Sequence, residues 1–424
     1  MKIAILNTWP YGSTGSVALT LAHSLAELGH ETCVAVGDKL PEGADSLLVK
    51  ITPPSQRALF VKRAMRKTLA DRFWKSEKED PTFIPEWRFG TPSAAHLLAQ
   101  LPFKPDAVIA LWTDYFASFS LLAELHKLCG CQVVVYMMDM AVITGGCHYA
   151  YSCRGYEKQC GHCPAIKSRK ENDMSRRQWQ ARQAAVASMS PIIVSPSGHC
   201  SDQIKAASIW KGARMARIPI AISPKDFPEL AQSAARQSLG LPSDARVLFF
   251  GAQHLHEKRK GMQLLLDALS RLKGMDFPVK PFLAYAGGSA LPGDLPFESR
   301  HMGYLDRKAL ATMYRAADAF VCPSIEDSGP LMINESIMSG TPVVCFDMGV
   351  GKDLVVSGET GYRARLGDVE DLACGLRSVL CADAEGLAKL REGCRAMAES
   401  RLTPAAQAHA FAAALERGEG LESL

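Results

Sequence analysis

Short apolar runs bounded by turn residues recur along the chain, and the stretches between them carry apolar positions three and four apart. Residues 2–7 predict a buried strand, 17–28 a helix stopped by Gly29, and 31–36 a second strand. A loop holding Gly12 and Gly15 is expected between the first strand and the helix. Further strands are predicted at 107–112, 132–138 and 192–195, with connections long enough for helices. Runs of Val and Ile without alternation suit strands covered on both faces, so the pattern predicts a parallel, doubly wound sheet.

Residues 214–228 hold three prolines and predict a hinge. A second series follows: strand 246–251, helix 261–272, strand 281–286, helix 306–317, strand 319–322, and helices at 368–380 and 384–399. The expected fold class is α/β, with two doubly wound Rossmann-like domains facing a cleft. The first would span 1–218 with a cysteine-rich insertion at 140–166. The second would span 219–424, its last helix placed to pack back on the first.

Residues 323–344, PSIEDSGPLMINESIMSGTPVV, concentrate the candidate chemistry. A strand ends at Pro323, and an acidic loop then leads through Gly329 and Pro330 into a helix carrying Glu335. This is the form of a site at the carboxyl end of a parallel sheet. A helix start offers N–H groups to an anion. Asp327 and Glu335 lie eight positions apart, and a carboxylate suits the two hydrogen bonds of a vicinal sugar diol. GAQHLHEKRKG follows the first strand of the second series. Lys260, beside Gly261, is the natural partner for a diphosphate there; a solvated basic turn is the plain alternative.

Composition narrows the picture. Hydrophobic residues make up 47% of the 424 and charged residues 22%, as in ordinary globular proteins. A net charge of +4 without a basic stripe interleaved with aromatics gives no reason to expect nucleic acid as a partner. No apolar run reaches membrane-spanning length, and the start predicts a strand rather than a signal peptide. Thirteen cysteines then suggest reduced thiols and a cytoplasmic location. Four of them, Cys147, Cys153, Cys160 and Cys163, follow C-x5-C-x6-C-x2-C. A structural zinc site is expected, with His148 and His162 as spare ligands. Two disulfides or four unligated thiols are the rivals. Residues 57–78 carry eight Lys or Arg against two acids with apolar positions every four. They read either as a basic amphipathic helix on an anionic membrane surface or as a packed helix with a solvated basic face.

The stretch 323–344 resembles the signature of retaining glycosyltransferases of family 4, which have the two-domain GT-B fold. LAHSLAELGHE, the RKG turn, GYLDRKALATMYRAADAFVCPS and SGETGYRARLGDVEDLACGL agree with it. The resemblance implies that Glu335 binds the ribose hydroxyls of a nucleoside diphosphate sugar and Asp327 the sugar. Lys260 and Arg259 would meet the diphosphate, with Gly329, Pro330 and Leu331 opening the helix beside it. Gly12 and Gly15 would lie near the diphosphate and the acceptor. Catalysis would need no metal cofactor. The block MMDMAVITGGCHYAYSCRGYEKQCGHCPAI resembles a subgroup from exopolysaccharide and lipopolysaccharide pathways. Many of those relatives have His-Asp where this chain has Met138-Asp139, which leaves Asp139 as the candidate polar group. A glycan or lipid-linked glycan acceptor, handled at the inner face of the membrane, is the implied partner. A nucleotide-sugar epimerase and a non-catalytic glycan- or nucleotide-binding partner are the alternatives.

Overall fold

The computed structural model describes residues 1–55, 83–86, 91–168, 170–255, 257–288, 290–291 and 295–424. The basic stretch 57–78, read as either a membrane-surface helix or a packed helix with a solvated face, lies outside them, as does His256. The chain divides into two compact units, Met1–Pro219 with Pro404–Leu424, and Ile220–Thr403.

The strands are β1 (Lys2–Asn7), β2 (Glu31–Val36), β3 (Leu48–Lys50), β4 (Ala107–Ala110), β5 (Gln132–Tyr136), β6 (Ile192–Ser195) and β7 (Arg214–Arg217) in the first unit. The second unit holds β8 (Ala245–Gly251), β9 (Lys280–Ala286), β10 (Glu298–His301), β11 (Ala319–Cys322), β12 (Val343–Phe346) and β13 (Gly361–Ala364). β14 (Leu421–Ser423) returns to the first.

The second sheet runs β10-β9-β8-β11-β12-β13, every pair parallel. The chain winds outward from β8 to one edge, returns beside it at β11, and winds to the other. At that reversal the loops after β8 and β11 leave in opposite directions and open a crevice at the strand ends. The first sheet repeats the device, with β1 and β4 as the central neighbours in the order β14-β7-β6-β5-β4-β1-β2-β3. Strands β4, β6, β11 and β12 are buried at every residue, which is why their sequences show apolar runs without alternation.

Several expectations are corrected. Residues 214–217, assigned to a hinge, form β7, which pairs with β6 from Ile192–Arg214 to Ser195–Arg217. Met215 and Ala216 are buried between two exposed arginines, a pattern too short to outweigh the prolines that follow. Gly12 and Gly15 do not form a loop, because the helix begins at Gly12 and runs to Glu27. Residues 404–424, placed in the second domain, belong to the first unit, where β14 adds an antiparallel edge to β7. Phe411 meets the Tyr136 ring at 5.5 Å, and Gln407 Nε2 donates to the Pro219 carbonyl.

One buried ion pair serves the frame. Asp318, just before β11, takes Arg236 at 2.7 Å and the Val247 N–H at 2.7 Å, while Arg236 also caps the carbonyls of Ala316 and Ala245. A buried charge so fully partnered is structural.

Candidate active site

The site in the second unit starts with a turn that only glycine permits. After β8 the chain makes a tight turn at Lys258–Lys260 and leaves through Gly261 at φ +67°. A Cβ on Gly261 would lie 1.8 Å from the Pro323 carbonyl oxygen, so the turn sits directly on the start of the acidic loop. The Ile325 N–H donates to the Arg259 carbonyl at 2.8 Å and fixes the two loops together. Gly261→Ala is therefore expected to cost at least about 2 kcal/mol, through the left-handed backbone and the clash together. Urea midpoints of the variant and the parent protein measure it.

This contact brings the cations to the acid. Asp327, 7% exposed, receives Arg259 Nη1 at 2.8 Å and Lys260 Nζ at 2.7 Å on the same oxygen. Its other oxygen accepts the Gly329 N–H at 3.3 Å. Burial alone would raise its pKa, but Lys260 and then Arg259 overrule it and hold the carboxyl below its usual range. Arg259 also pairs with Glu257 at 2.7 Å. Neighbouring Glu326 is pushed up to about 7 by burial and by the Asp327 charge. Pro330 and Leu331 then open the helix Leu331–Met338, whose start no side chain caps.

Glu335 lies on that helix and is 6% exposed. The Tyr314 hydroxyl donates to its Oε2 at 3.1 Å. Burial pushes the carboxyl up to about 7, against the lesser pull of Arg307 and Tyr314. The stability it confers is fully present below pH 4.5, its ordinary value, and is lost as pH rises through about 7. A shift of this size corresponds to about 3 kcal/mol. Relative to Glu335→Gln, which keeps an acceptor for Tyr314, the parent protein is expected to lose that amount between pH 4 and 8. Urea unfolding at both ends of the range reads it out.

The first unit carries a second constellation at its own switch point. Trp9 follows β1 and Trp112 follows β4, and their rings stack with centroids 4.3 Å apart and planes within 20°. The Trp112 Nε1–H donates to Asp139 Oδ2 at 2.9 Å. Asp139 also accepts the Ala141 N–H, capping the turn Met140–Ile143, and takes His148 Nδ1 at 2.5 Å. His148 Nε2 lies 3.1 Å from Asp114 Oδ2. Burial works to discharge the His148 ring, but Asp139 and Asp114 overrule it and raise its pKa to about 10. The ring is an imidazolium at neutral pH. Met138 and Asp114 line a small pocket together with Trp112, Phe119 and Arg182.

Residues 244–383 match the sequence family described as "Glycosyl transferases group 1". The matched residues lie within the second unit. A relative, the phosphatidyl-myo-inositol mannosyltransferase of Mycobacterium leprae, is 30% identical over 156 residues, 36% of this chain and 41% of the relative. The match thus spans well under half of the relative's length. In fold, the chain is similar to sucrose-phosphate synthase from Thermosynechococcus elongatus (TM-score 0.65, 16% identity, 97% of each chain covered). It is also similar to Alr3699/HepE from Anabaena in complex with UDP and glucose (TM-score 0.63, 14% identity, 98% of this chain and 100% of that one). Two α/β units with parallel sheets are the GT-B fold.

Lys260, Arg259, Asp327, Gly329, Pro330, Leu331 and Glu335 all lie within the group 1 region. Asp327 is brought together with both cations, while Glu335 is held by Tyr314. Asp139, Gly12, Gly15 and the four cysteines fall outside the region. Gly15 sits in the first turn of its helix, where a Cβ would meet the Pro10 carbonyl carbon at 2.6 Å. His148, taken from the sequence as a spare metal ligand, instead stands between two carboxylates. Asp114 and the tryptophan pair were not expected at all. Their signal was positional, since each follows the end of a central strand.

Proposed function

We propose that this protein is a retaining glycosyltransferase that moves a sugar from a nucleoside diphosphate sugar to a glycan or lipid-linked glycan acceptor in surface polysaccharide synthesis. The reading rests above all on the Asp327 carboxylate clasped by Lys260 and Arg259 at the β8–β11 switch point, inside the residues that match group 1. A preassembled pair of cations beside an uncapped helix start is matched in charge to a diphosphate. The UDP and glucose held by the Anabaena protein support a donor of this class.

In this reading the donor diphosphate displaces Asp327 as the partner of Lys260 and Arg259. Asp327 is freed to accept hydrogen bonds from the sugar, and Glu335 accepts those of the ribose hydroxyls. As the bond from the anomeric carbon to the phosphate oxygen breaks, the electron pair moves onto the diphosphate, where the two cations and the N–H groups at Leu331 meet it. The departing oxygen takes the acceptor's proton, and the acceptor attacks from the same face, so the anomeric configuration is kept. Asp139 acts as a positioning residue, because its oxygens are occupied by Trp112, Ala141 and His148. Among the described residues no helix is long and apolar enough to cross a membrane. In this reading the enzyme works in the cytoplasm at the inner face of the membrane, a location the thirteen cysteines, taken as reduced thiols, support.

Titration calorimetry against a panel of nucleotide sugars, followed by acceptor-dependent release of nucleoside diphosphate, tests the reading. Binding of a nucleotide sugar with release only when a glycan is added is expected. Donor consumed without acceptor would point to an epimerase, and donor binding without turnover to a non-catalytic partner.

A further inference from the structure

The segment between β5 and the helix Met174–Met189 contains a built pocket that the transfer reaction leaves unused. Cys147, Cys153, Cys160 and Cys163 all line one cavity, together with Phe83, Ala150 and Tyr156. The lining is chiefly apolar. Within it, thiols would pack as small hydrophobes, yet here a backbone donor is aimed at one of the sulfurs. The Gly145 N–H reaches Cys160 Sγ at 3.2 Å. The Thr144 hydroxyl donates to the Cys147 carbonyl at 2.8 Å and holds that residue against the cavity.

The backbone is also held in a costly form. Cys160, Gly161 and His162 are successive left-handed residues, at φ 52°, 101° and 46°. Two of them are not glycine, and each such residue costs on the order of 1 kcal/mol. This turn is the C-x2-C element itself. Arg176 Nε donates to the Cys160 carbonyl at 2.9 Å.

We propose that Cys147, Cys153, Cys160 and Cys163 bind one zinc ion as a tetrahedral four-thiolate site. Binding forms four Zn–S bonds of about 2.3 Å and releases four thiol protons to solvent, leaving a net charge of about −2 beside Arg176. Among the described residues no three Cys, His, Asp or Glu side chains already stand at ligating positions, so the cysteines close on the ion by side-chain rotation around the cavity. Cys147 directly precedes His148, so the ion also anchors the residue held between Asp139 and Asp114. The site is structural, and its closed ligand set leaves no position for substrate.

The full chain, purified without chelator under anaerobic conditions, is expected to carry about one zinc by elemental analysis. Cys153→Ser and Cys163→Ser should each lower bound zinc at least tenfold. Cys374→Ser and Cys381→Ser, at exposed cysteines, should leave it unchanged. Should the cluster variants fail to fold, cobalt added to the metal-stripped parent chain decides, through the visible absorption of a tetrahedral cobalt thiolate. Zinc well below stoichiometry with four titratable thiols, a mass lower by four hydrogens as two disulfides require, or iron in place of zinc would overturn the proposal. Nucleotide-sugar binding by the parent chain is measured on the same sample, so failure of the zinc site and failure of the transferase reading are told apart.

Discussion

Replacing Lys260 by alanine is expected to lower the rate of sugar transfer by two to three orders of magnitude, roughly 3–4 kcal/mol of transition-state stabilisation. The ammonium sits 2.7 Å from Asp327 and is partly buried, so its charge is weakly screened where the leaving group gains its own. Its effect belongs to turnover more than to donor affinity, because charge accumulates on the diphosphate only as the glycosidic bond breaks. The remaining Arg259 stays paired with Asp327 and Glu257, which keeps the acidic loop in place. Single-turnover transfer with saturating donor measures the effect. A variant with near-normal turnover would mean that the diphosphate lies elsewhere.

Glu335→Ala is expected to weaken donor binding about a hundredfold, from the loss of two charge-assisted hydrogen bonds to a diol. Part of any loss comes from the Tyr314 hydroxyl, which is left buried without its acceptor. The two contributions separate in a cycle with a donor lacking one ribose hydroxyl. The parent protein should bind the deoxy donor far more weakly than the intact one, whereas the alanine variant should scarcely distinguish them. Equal discrimination in both proteins would remove Glu335 from the ribose. Because its pKa is raised to about 7, donor affinity in the parent protein should also rise from pH 6 to pH 8 as the carboxylate forms.

The second unit was legible because its elements are long in pattern and its candidate chemistry lies within one short stretch. Strand 319–322 was predicted as observed, and the spacing of the signature that the stretch resembles, an acid eight positions before a Glu, pointed to Asp327 rather than Glu326. The acceptance of both Lys260 and Arg259 by one oxygen was not legible, since it depends on Gly261 seating one loop on another across more than sixty residues. His148 was hidden for a different reason. Its neighbours Cys147 and Cys153 gave a metal-ligand spacing, and nothing local shows that the ring turns toward Asp139 and Asp114, which come from other strand ends. β10 escaped notice because Glu298–His301 is polar and lies at a sheet edge, and β14 because three residues carry no periodicity.

The return of the last residues to the first sheet has a consequence for synthesis. β14 pairs with β7, yet the whole second unit is translated between them. As the chain leaves the ribosome, the later unit therefore has all its strands before the earlier one does. The first sheet must wait with the outer edge of β7 uncovered. The molecule's first-made half is its last to be finished, and ribosome-bound chains ending before residue 404 should expose that edge to proteases and chaperones.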